Sequence, residues 1–207
     1  MRRYQKTILA ITAAAVLNSA LPNRAEAGVP TEQVRQTADQ ILQVLQDSRA
    51  QATGNTSQRR EQLRQILASR FDFTEMAKRS LGANWQKASS SEQQQFVRLF
   101  TDLLESSYIG QIEGYAGEKI IYGREAVDQN QADVETKIIT KKSEEVSVVY
   151  KLKADGGDWK VYDVVIENVS LVNNFRTQFN RVLAKGSFAE LINKLAAKSP
   201  EIKPARS

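Results

Sequence analysis

The sequence predicts an α+β fold in which helices cover one face of a curved, four-stranded antiparallel sheet. Three observations predict it. Apolar residues recur at helical spacing through 31–117. From 118 to 169 they recur at every second position, as half-buried strands require. Helical spacing returns over 170–198. Strands gathered in the middle with helices on either side give segregated layers, not the strand–helix alternation of a parallel sheet.

The first helix has Thr31 as its cap and Val34, Ala38, Ile41, Leu42 and Leu45 as its apolar positions. Ala50 to Ser57, with Gly54 and Asn55, reads as a loop. A second helix carries Leu63, Ile66 and Leu67. In FDFTEMAKRSLG, Asp72 and Glu75 form an acidic version of the capping box, Phe71 and Met76 a hydrophobic staple, and Gly82 the stop. Ser90 or Ser91 starts a long helix whose stripe runs through Phe96, Leu99, Phe100, Leu103, Leu104, Tyr108, Ile112 and Tyr115 to Gly114 and Gly117.

The strands follow. Lys119 to Arg124 is a weak first strand. Val134, Thr136 and Ile138 alternate with charged residues on the second, and Val146, Val148, Tyr150 and Leu152 form one face of the third. Asp155-Gly156-Gly157-Asp158 marks a hairpin turn. Trp159 to Val169 is apolar on both faces: Trp159, Val161 and Val165 on one, Tyr162, Val164 and Ile166 on the other. Such a strand is central or covered on both sides. Ser170 caps the next helix, with Leu171, Val172, Phe175, Phe179, Val182 and Leu183 inward. Gly186 ends it, and Ser187 with Glu190 starts the last, which carries Phe188, Leu191, Ile192 and Leu195. Residues 200–207 read as a flexible tail.

Composition excludes much chemistry. The chain has 207 residues, no Cys and no His. Disulfides, thiolate nucleophiles, imidazole bases, Ser-His-Asp triads and ordinary zinc sites are therefore ruled out. No cofactor or metal is expected. Residues 1–27 pair a basic start (Arg2, Arg3, Lys6) with an apolar run from Ile8 to Leu21 and small residues at Ala25 and Ala27, the pattern of a signal peptide cleaved after Ala27. The run is short for a bilayer span. Cleavage leaves 25 basic and 23 acidic residues, so the working protein is close to neutral and offers no footprint for nucleic acid. One domain over 28–199 is expected.

Few constellations invite chemistry. Asp163, among apolar neighbours, reads either as a tuned carboxylate or as one satisfied by backbone donors or by Arg176 or Arg124, and the second reading is favoured. The basic pairs Arg59-Arg60, Lys78-Arg79 and Lys141-Lys142 read as solvated surface. The long aromatic stripe fits either a filled core or a pocket wall, and periodicity does not separate the two.

The segments FDFTEMAKRSLGANW, SSEQQQFVRLFTDLLESSYIGQIEGYAGEKI and WKVYDVVIENVSLVNNFRTQF together resemble the toluene-tolerance (MlaC) family, roughly from Val34 to Leu195. Asn168 stands where the family pattern has Gly. The resemblance implies a fold like that of nuclear transport factor 2 with added helices. It implies a periplasmic carrier, acting as a monomer, that moves phospholipid between an outer-membrane lipoprotein complex and an inner-membrane ABC transporter to maintain lipid asymmetry. No catalysis is implied. A hopanoid-associated branch shares these segments, which leaves the lipid class open.

The physics fits a carrier. Each methylene exposed to water costs about 0.8 kcal/mol, so two acyl chains cost above roughly 20 kcal/mol. On this reading the expected pocket walls are Phe100, Leu103, Leu104 and Tyr108 from the long helix, facing Val148, Tyr150, Leu152, Val161 and Val165, with Met76 and Trp85 at one end. The competing reading is an isomerase or dehydratase in the same fold, using Asp163 with Tyr150 or Tyr162.

Overall fold

In the computed structural model, the described residues are 29–50, 56–115 and 117–198. Residues 1–27, read as a signal peptide, and the tail 200–207 lie outside them, as does most of the expected loop at 50–57.

Four helices come first: α1 (Val29–Ala50), α2 (Thr56–Arg70), α3 (Phe73–Leu81) and α4 (Ser90–Glu113). Strands β1 (Lys119–Asp128), β2 (Gln131–Ile139), β3 (Glu145–Asp155) and β4 (Asp158–Ile166) pair in that order as an antiparallel meander. A two-residue β5 (Val169–Ser170) adds a fifth strand to the four expected, and α5 (Leu171–Leu183) and α6 (Phe188–Lys198) close the chain. Helices and sheet form a mixed α+β architecture around a curved, unclosed sheet.

Local chemistry sets most boundaries. Asp72 Oδ1 accepts the Glu75 N–H at 2.8 Å, but the Glu75 carboxylate binds Arg79 and the Asp72 N–H donates to Val161 O, so only half of the expected capping box forms. Ser89, one residue before the expected start, caps α4 with a complete box to Glu92. Gly82 ends α3 at φ 55°, where a Cβ would stand 2.8 Å from Arg176 Nε. A 3₁₀ turn over Gly82–Lys87 follows, which the spacing did not predict. Thr31 does not cap α1. The helix starts at Val29, and the Thr31 N–H and Oγ1 both donate to Glu125 Oε2 on β1.

The fourth strand departs from strict alternation. Lys151 pairs with Asp163, yet Leu152 pairs with Val161, leaving Tyr162 as an extra residue. This bulge swaps the faces beyond it. Val161 shares its side with Val164, while Asp163 and Val165 turn to the other. The strand also stops at Ile166, where Glu167 (φ 48°) and Asn168 (φ 65°) make a left-handed turn into β5. Asn tolerates that conformation better than most residues, so its standing in for Gly fits a turn.

Two large apolar cores and a smaller cluster of Leu45, Leu63 and Ile109 result. One is helical, around Phe96, Phe100, Leu81, Phe179 and Leu191. The other lines the inner face of the sheet, around Val134, Val148, Leu152, Val161 and Val164. Between them α2 buries only Leu63 and is held to α4 largely by charge: Arg59 and Arg60 both pair with Glu113 at 2.9 Å, and Arg64 with Glu105 at 2.8 Å. Burial pushes the Glu113 carboxyl up, but hydrogen bonds and charge from Arg60 and Arg59 outweigh it and hold the carboxyl below its ordinary value. A depressed carboxyl contributes stability above its unfolded value and loses it as pH falls through its folded value. Glu113→Gln should therefore lower Tm near pH 7, and the difference from the parent should be smaller at about pH 3, below the ordinary value of an unfolded carboxyl. Thermal melts at the two pH values test this.

Candidate functional site: an apolar cavity between sheet and helices

Two neighbouring cavities of about 510 and 240 Å³ lie between the sheet and the helices, the larger within the size range of small-molecule sites. They share Leu67, Phe71, Gln111, Ile112, Ile138 and Tyr150 as walls. The inner face of the sheet forms the floor, because inward positions of β2, β3 and β4 carry Ile138, Val148, Tyr150, Val161 and Val164. Phe71 enters the wall through a bridge to Val161, where the α2–α3 joint is tied to β4 by the Asp72 N–H. The apolar side of α1, with Val34, Ala38, Ile41 and Leu42, closes the larger cavity. The second half of α4 closes the smaller one with Leu104, Tyr108 and Ile109.

Of the expected wall residues, six line this space: Met76, Leu104, Tyr108 and Val148 the smaller cavity, Val161 the larger, and Tyr150 both. Five do not. Phe100 is fully buried in the helical core, edge-on to Phe175 at 5.2 Å and to Phe179 at 5.7 Å. Leu103 and Trp85 pack against the same core. Leu152 is sealed in the sheet core, and the bulge at Tyr162 carries Val165 to the opposite side of β4. The long stripe of α4 thus serves two neighbours. Its first turns face α3, α5 and α6, and only its later turns face the sheet.

The α1 residues and Phe71 carried the right signal, an apolar helical face and a staple, but nothing in their spacing said that the space beneath them stays open. Ile138 was legible as an inward strand position. Arg70 gave no signal at all.

Polar groups in the walls are few. Burial pushes the Tyr150 and Tyr108 phenols up, so both stay neutral near pH 7. Burial also raises the Glu105 carboxyl, against the charge and hydrogen bond of Arg64. Asp163 lies outside both cavities. Its carboxylate accepts the Val164 N–H at 2.9 Å, the Val172 N–H at 3.0 Å and the Ser170 hydroxyl at 2.6 Å. That arrangement joins β4 to the start of α5 and fits the satisfied-carboxylate reading, with backbone and hydroxyl donors and no Arg. Asp163→Asn should cost about 1–3 kcal/mol through the lost acceptor, read as a shift in the denaturant midpoint with unchanged slope.

No helix among the described residues is long and apolar enough to cross a membrane. The chain resembles a solved phospholipid-binding protein from Ralstonia solanacearum in complex with a phospholipid, with a TM-score of 0.75 at 23% identity, covering 83% of this chain and 97% of that one. It is 23% identical over 167 residues to the intermembrane phospholipid transport system binding protein MlaC of Haemophilus influenzae, covering 78% of each. It is 26% identical over 155 residues to the toluene tolerance protein ttg2D of Pseudomonas putida, covering 74% of this chain and 72% of that one. The model of the MlaC protein family matches residues 35–197, most of the chain and both layers that enclose the cavities, and the chain belongs to that family.

Proposed function

We propose that this protein is a periplasmic lipid carrier that encloses the acyl chains of a phospholipid and ferries it between an outer-membrane lipoprotein complex and an inner-membrane ABC transporter. The observation that carries the reading is the pair of adjoining cavities, walled by aliphatic and aromatic side chains from both layers. The names of the relatives, a phospholipid transport binding protein and a phospholipid-binding protein, support the ligand class. On this reading residues 1–27 direct export, residues 28–199 form one monomeric carrier domain and residues 200–207 are a tail. The protein performs no catalysis. An apolar cavity with few directional contacts suits the task, since chains must be shielded from water yet released at the far membrane.

The test is native mass spectrometry on residues 28–207, exported to the periplasm and purified without detergent. An added mass that fragments to a phospholipid supports the reading and names the lipid. A hopanoid mass moves the ligand to another lipid class. Bare protein that also takes no labelled lipid from liposomes overturns it.

A further inference from the structure

We propose that Arg70 is an anion anchor at one end of the larger cavity, so that the lipid held there presents a phosphate or carboxylate to its guanidinium. The inference rests on the carrier reading and adds the charge class of the ligand and the place where that charge sits.

Arg70 is the last residue of α2 and lines the larger cavity beside Val34, Thr37, Phe71 and Val161. Its guanidinium is held by three neutral acceptors. Nε donates to Thr37 Oγ1 at 3.1 Å, and one terminal nitrogen donates to Gln33 Oε1 at 2.6 Å and to Trp159 O at 2.7 Å. Gln33 is itself fixed by accepting the Trp159 N–H at 2.8 Å. These bonds fix the fork and leave its other terminal nitrogen without a protein acceptor among the described residues.

The charge is also unanswered. Every other arginine on α2 has a carboxylate partner: Arg59 and Arg60 share Glu113, and Arg64 has Glu105. Arg70 forms no ion pair among the described residues. The acids near this end are engaged elsewhere. Glu125 Oε2 takes both donors of Thr31, and Asp158 reaches the network only through Gln33, while standing 4.0 Å from Lys160. Glu118 also lines this cavity but is not among the partners of the Arg70 guanidinium. The C-terminus of α2 offers about half a negative charge at most. A cation held rigidly beside apolar walls, with one donor spare, favours an anionic oxygen over a neutral one, and a planar fork suits a phosphate or carboxylate.

The experiment measures uptake of labelled lipid from vesicles doped with either phosphatidylglycerol, palmitate or an uncharged diacylglycerol with the same chains as the phosphatidylglycerol, using the parent protein, Arg70→Gln and Arg70→Lys. The expected result is that Arg70→Gln lowers uptake of a charged lipid tenfold or more and leaves diacylglycerol uptake unchanged, with Arg70→Lys in between. Dependence seen with phosphatidylglycerol assigns a phosphate to the anchor, and dependence seen only with palmitate assigns a carboxylate. A parent that takes up diacylglycerol as well as charged lipid, or an Arg70→Gln variant that affects all lipids equally or none, overturns the anchor while leaving the carrier intact. A parent that takes up no lipid overturns the carrier reading itself. The comparison of lipids within the parent needs no variant to fold.

Discussion

Phe96→Ala should be the most destabilising single substitution in the helical core. The ring is 0% exposed and meets three others: Phe100 stacked at 5.7 Å, Phe179 edge-on at 5.4 Å and Phe188 at 6.1 Å. Those partners belong to α4, α5 and α6, so removing the ring opens the junction of three helices at once. Deleting a buried Phe costs about 3–5 kcal/mol. For a fold of this size that is a fall of about 10 °C in Tm, read by calorimetry. Because Phe96 lines neither cavity, the surviving folded fraction should hold lipid with unchanged stoichiometry. A Tm within a degree or two of the parent would show that α4, α5 and α6 can close the gap.

Ile138→Trp should have the largest effect on binding. Ile138 sits inward on β2, between Ile120 on β1 and Val146 on β3, and lines both cavities. An indole there projects into open space, so overpacking should cost no more than about 1–3 kcal/mol. The same indole occupies the wall that joins the two cavities. Co-purified lipid should drop by most of its parental amount while the melt stays cooperative. Leu104→Trp and Val148→Trp reach only the smaller cavity and should remove less. Full lipid content in a folded Ile138→Trp protein would place the ligand somewhere other than this space.

The split between what the sequence revealed and what it concealed follows from the range of the interactions involved. Caps and turns are local. Asp72, Ser170 and Gly82 act within a few residues of themselves, so their positions set helix ends before any tertiary contact forms. The hairpin at Asp155-Gly156-Gly157-Asp158 is equally local, since both glycines take positive φ. Where a cap failed, the cause was distant. Thr31 turns its donors to Glu125, 94 residues away, and α1 starts before it.

By itself, then, the sequence determined the order of helices and strands along the chain, the antiparallel sheet and the apolar faces, because hydrophobic period and capping chemistry are written in neighbouring residues. Resemblance of three segments indicated the family. Tertiary structure alone decided which apolar faces fill a core and which face open space. Phe100 and Leu104 lie four residues apart on one stripe, yet one is sealed against the Phe175 and Phe179 rings of α5 and the other reaches a cavity. It alone placed the bulge at Tyr162, which sends Val165 and Val161 to opposite sides of a strand whose sequence is apolar on both faces. It alone left Arg70 without an acid partner among the described residues, beside apolar walls. Each of these depends on how closely two separated elements approach, and a single chain's periodicity carries no measure of that distance.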